Sequence, residues 1–107
     1  MIAVLFEAKA VPEKQARYFD LAAQLKPLLS DVDGFISVER FHSVTDPHKF
    51  LSLSWWESEA SIMQWKQNVL HQAAQHEGRD TIFSGYHIRV LNLIREYAFE
   101  SAEPDHR

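Results

Sequence analysis

The chain has 107 residues, 46% of them hydrophobic and 24% charged, a formal net charge of −4, and no cysteine. That length fits one domain with one core, and the missing thiols exclude disulfides, cysteine nucleophiles and thiolate metal sites. The basic residues are scattered rather than striped, which argues against nucleic acid and anionic membranes as partners.

Residues 1–6 form an apolar run with no basic flank, too short for a signal sequence or a membrane span, so a cytoplasmic location is expected. Residues 2–9 read as the first strand. Ile2, Val4, Phe6 and Ala8 share one face and Ala3 and Leu5 the other, so both faces expect cover. After Pro12, the apolar residues Tyr18, Leu21, Ala22, Leu25 and Leu28 or Leu29 recur at helical spacing. Pro27 falls inside this pattern and predicts a kink or a restarted turn. Asp33-Gly34 marks a turn into a second strand over 35–42, with Phe35, Ser37, Glu39 and Phe41 on one face and Ile36, Val38 and Arg40 on the other.

Thr45-Asp46-Pro47-His48 has turn chemistry and predicts a hairpin to a third strand over 50–56. Ser58 is a natural N-cap for a helix over about 59–66, with Ile62, Met63 and Trp65 as its apolar positions. Asn68 can cap a second helical piece over 69–76, and Gly78 can end it. Residues 79–85 read as irregular and 86–97 as a long last strand, again apolar on both faces. Residues 100–107 read as a polar tail after a domain over 1–99.

The order β-α-β-β-α-β is the split βαβ, ferredoxin-like arrangement, an α+β fold with a four-stranded antiparallel sheet and helices on one face. Two helical layers cover only one face. The other is apolar and needs a partner, which a two-fold homodimer with its sheets face to face supplies.

Chemistry-bearing residues concentrate from Trp55 to Arg79. Aromatic, imidazole and amide groups in one stretch suit an apolar small-molecule pocket. His71 and His76 are five apart and lie on different helix faces, so they are no metal pair, and His42 and His48 read as surface residues. Glu7 and Glu39 sit mid-strand where burial is expected, with Arg40, Arg89 or Arg95 as partners; ion pairing competes there with a raised-pKa general base.

The segments Gly34-Phe35-Ile36-Ser37-Val38-Glu39 and Leu51-Ser52-Leu53-Ser54-Trp55-Trp56-Glu57-Ser58, then Trp65, His71, Ala74-Gln75, Gly78-Arg79 and 86–97, resemble the antibiotic biosynthesis monooxygenase family of the dimeric α/β barrel superfamily. The resemblance covers about residues 2–97. It implies an oxygenase that needs no cofactor and acts on a small aromatic or quinol-type molecule. Trp65 matches the family's pocket Trp, His71 stands where the polyketide enzymes carry a Tyr, and Ser61 stands where they carry an Asn. His71 and Trp65 are the catalytic candidates, and Glu7, Ser61, Trp55 and Phe83 the substrate-contacting ones. Haem-degrading relatives use a first-strand Asn, this Trp, and a His about ten residues later. Here the first strand carries Glu7, and Gln75 precedes His76. Haem binding through His71 or His76, or a non-catalytic binding module, are the alternatives.

Overall fold

A computed structural model describes residues 1–101. The strands are β1 (Ile2–Ala10), β2 (Phe35–His42), β3 (Lys49–Trp56) and β4 (Phe83–Asn92), and the helices α1 (Gln15–Ser30), α2 (Glu59–Lys66) and α3 (Val69–Glu77). All pairings are antiparallel, in the order β2-β3-β1-β4. This is the expected α+β, ferredoxin-like sheet with its helices on one face. Among the described residues, no helix is long and apolar enough to cross a membrane. The tail expected over 100–107 falls outside the described residues from 102 onward.

The apolar alternation of β1 sorts as its sequence implies. Ile2 and Ala10 face the helices and sit in two separate packed clusters. One holds Ile2, Leu29, Trp56, Ile62 and Trp65. The other holds Ala10, Tyr18, Phe50 and Ile82, with Tyr18 tilted against Phe50 at 5.6 Å between ring centroids.

Several local expectations are corrected. α1 continues through Pro27 to Ser30 as one helical segment. Pro27 lies in the last turn, so the hydrogen bond it forfeits is near the helix end, where few others depend on it. In β2 the register shifts between Phe35 and Ser37. Phe35 therefore joins the helix-facing side and packs edge-on against Trp56 at 5.2 Å, while Ile36 is exposed. Ser58 occupies the N-cap of α2 with no capping hydrogen bond from its side chain; its Oγ lies 3.4 Å from Ser61 Oγ instead.

Gly78 does not end the helical path, because it is itself right-handed and leads into a π-helical turn, Gly78–Ile82. It is needed for closeness instead: a Cβ there would lie 2.8 Å from the Phe83 ring. Gly34, at φ +88°, does make the predicted turn, and a Cβ there would also collide with Ser61 Oγ.

The last strand is shorter than the apolar pattern to Tyr97 implied. Asn92 pairs with Ile2, and Leu93 N–H donates to the Met1 carbonyl at 3.0 Å. The pairing with β1 ends there, and 93–101 carry no regular structure.

Trp65 is buried in the first cluster and also borders open space described below. Trp65→Ala is therefore expected to destabilise the chain by about 3 kcal/mol, the low end for a large aromatic, in urea unfolding. A loss below about 1 kcal/mol would remove Trp65 from the core.

Candidate functional site

Between the two clusters the helices stand away from the sheet and leave a cavity of about 470 Å³, within the range of small-molecule sites. Its sheet wall is Val4 and Phe6 of β1 with Ile88 and Val90 of β4. The last two are about half exposed, so the cavity opens over β4, where no helix covers the sheet. Its helical wall includes Trp65, His71 and Gln75.

The break between α2 and α3 brings Trp65 and His71 together. In an unbroken helix, residues six apart are about 9 Å apart along the axis and cannot stack. Here α2 ends with Gln67 N–H donating to Gln64 O at 3.2 Å. Asn68 then restarts the helix, its Oδ1 accepting from His71 N–H at 3.0 Å. The turn folds the imidazole back over the indole, with ring centroids 4.5 Å apart and planes at 30°. Burial pushes the His71 pKa below its ordinary value; the Trp65 backbone opposes this and nearby Lys66 adds to it. Its place in the first turn of α3 acts in the same direction. The ring is therefore held neutral and able to accept a proton. Its Nδ1 is enclosed and has no hydrogen-bond partner among the described residues.

Of the residues expected from sequence, Trp65, His71 and Phe83 line this one cavity. Phe83 closes its far end, edge-on to Phe6 and to Tyr18 at 5.4 Å each. The other three lie elsewhere. Ser61 is buried against Gly34. Trp55 is on the opposite face of the sheet, lining a recess with Leu5, Leu53 and Tyr97. Glu7 is also on that face. It pairs with Lys49 Nζ at 2.6 Å and Arg89 at 3.2 Å, and the Lys49 hydrogen bond leads the groups that hold its pKa below the usual value. A raised-pKa base at Glu7 is thus corrected: its cations stabilise the carboxylate. Glu39 is exposed rather than buried.

His76 pairs with Asp80 at 3.1 Å on the exposed side of α3, away from the cavity. Among the described residues, no three His, Asp or Glu side chains cluster as a metal site. Among the cavity residues that the sequence did not mark as part of a site are Arg40 and Tyr18. The signal was present, since Arg40 alternates with Val38 on the helix-facing side of β2.

The family model described as antibiotic biosynthesis monooxygenase matches residues 1–77. A Pyricularia oryzae protein named jasmonate monooxygenase is 40% identical over 90 residues, 84% of this chain; the chain spans only 42% of that relative's length. An uncharacterized Bacillus subtilis protein, YqjZ, is 28% identical over 96% of this chain and 88% of its own. The Rv0793 structure from Mycobacterium tuberculosis superposes with a TM-score of 0.80 at 12% identity, over 91% of this chain and 98% of that one; this is a likeness of fold.

Because His71 is harder to protonate folded than unfolded, the native state carries this contribution in full above the unfolded-state value of about 6.5 and loses it as pH falls below that. Between about pH 7.5 and 5, either side of that value, the wild type is expected to lose more urea-unfolding free energy than His71→Phe. Parallel losses would show that His71 is not desolvated.

Proposed function

The chain belongs to the antibiotic biosynthesis monooxygenase family, and on that footing we propose that it is a cytoplasmic, cofactor-independent monooxygenase of a small aromatic or quinol-type molecule, working as a homodimer. The observation that supports this best is the Trp65–His71 stack on the wall of an apolar cavity, with the imidazole held neutral. Such a substrate carries a C–H bond acidified by flanking aromatic or carbonyl groups. His71 takes that proton, and the indole face holds the planar carbanion in place. Dioxygen then oxidises the carbanion. For a methylene substrate the balance is one methylene and one dioxygen in, one ketone and one water out. The substrate supplies all four electrons, from its two C–H bonds. One oxygen atom enters the product, and the other leaves as water with the two substrate hydrogens.

Oxygen uptake with a panel of anthrones and dihydroquinones, with and without a carboxylate substituent, tests this. Turnover is expected to place one atom of labelled dioxygen in the product, to persist after chelator dialysis, and to fall about 100-fold or more in His71→Phe. Unchanged turnover in that variant would remove His71 as the base. A haemin titration that produced a ligated Soret band and restored activity would overturn cofactor independence.

The homodimer rests on the uncovered face. Leu5, Leu53 and Trp55 lie there beside half-exposed Leu91. Past β4, Ile94, Tyr97 and Phe99 are 84%, 87% and 91% exposed. The Cα radius of gyration is 15.5 Å, against about 13 Å for a compact chain of this size, as expected when an apolar segment reaches away from its own core. Light scattering is expected to give twice the 12.4 kDa chain mass at micromolar concentration, and Leu53→Glu to give a monomer. A wild-type monomer would overturn this.

A further inference from the structure

Arg40 places the only guanidinium among the described residues on the cavity wall, and strand geometry leaves it without an acid. It faces Ser52 across the β2–β3 register. Neighbouring Glu39 is turned by strand alternation to the opposite face. Glu7, the carboxylate of the central strand, is on that opposite face too and is engaged by Lys49 and Arg89. The Arg40 Nε is enclosed and has no hydrogen-bond partner among the described residues. The polar group acting on the guanidinium is the Tyr18 hydroxyl, which burial keeps neutral by pushing its pKa above the usual value. A guanidinium does not lose its proton, so the cavity carries a fixed positive charge on a largely apolar wall. Water entering over β4 can solvate that charge when the cavity is empty. A neutral ligand that expelled this water would leave the charge without compensation, at a large cost.

We propose that the ligand of this cavity is a small carboxylate with an apolar body, anchored through its carboxylate by Arg40. The guanidinium fork matches the two oxygens of a carboxylate. The apolar body then lies along Phe6, Ile88 and Val90 toward Trp65 and His71. The inference rests on the cavity being the substrate site, and it names the class of substrate that site takes. Lys66 also borders the cavity but is exposed, where water screens it, so Arg40 carries the selectivity.

Calorimetric titration of the full chain with 1-naphthylacetate and with its methyl ester tests this without turnover. The acid is expected to bind at least tenfold more tightly than the ester. Arg40→Gln is expected to bring the two within about twofold, through loss of acid binding, and Lys66→Gln to reduce the preference less. Equal binding of acid and ester by the wild type, no binding of either, or a preference that survives Arg40→Gln would overturn the proposal. Should Arg40→Gln fail to fold, Arg40→Lys decides: it keeps the charge but loses the fork, so the preference should shrink several-fold, and an unchanged preference overturns the anchor. Selective acid binding with no oxygen uptake on any carboxylate would defeat the monooxygenase reading and leave this one standing. Equal kcat/KM for neutral and acidic substrates would do the reverse.

Discussion

The helices are fastened to the sheet at two places, near the two ends of β1. At one end Ile2, Trp56 and Trp65 pack with α1 and α2; at the other Ala10 and Phe50 pack with Tyr18 and Ile82. The strand runs nine residues from Ile2 to Ala10, a span of roughly 26 Å. Because each cluster is closed by large aromatic rings, neither can slide toward the other without a cavity opening behind it. The space between them is therefore a property of the frame, and the residues that line it are held from both ends.

Within that frame the site depends on two departures from regularity. The interruption at Gln67 and Asn68 lets an imidazole lie on an indole six residues earlier, which a continuous helix forbids. Strand alternation then separates charges that adjacent residues would otherwise neutralise: Glu39 goes outward and Arg40 inward. A neutral base and an unneutralised cation thus border the same apolar space without being neighbours in sequence.

Much of this could be read from the sequence, and what could not has physical reasons. Alternation of Ile2, Val4, Phe6 and Ala8 assigns the inner face of β1 because the strand keeps register with β3 from Ile2 to Lys9. The same logic misplaces Phe35, because the register shift before Ser37 has no glycine or proline within it to signal it. The apolar run to Tyr97 reads as strand because alternation records faces and not partners; the pairing stops where β1 begins. At the site, Asn68 and the spacing of Trp65 and His71 were legible because a cap is local chemistry. Arg40 was not, since it reads as a partner for nearby carboxylates until three-dimensional register shows which of them face away. Trp55 and Glu7 fail as cavity residues for the same reason.

The sheet order has a consequence for synthesis. β1 lies between β3 and β4, so Ile2 pairs with both Trp56 and Asn92. β1 waits for about 80 further residues to be synthesised before its second neighbour exists, roughly 4–16 s at ordinary elongation rates. Through that interval one edge of an apolar strand has no partner from its own chain, which is a hazard for association between nascent chains. The late strand is also the one that supplies Ile88 and Val90 to the cavity. A ligand therefore has no complete wall to bind until elongation has passed Asn92, and it cannot help the earlier strands to fold.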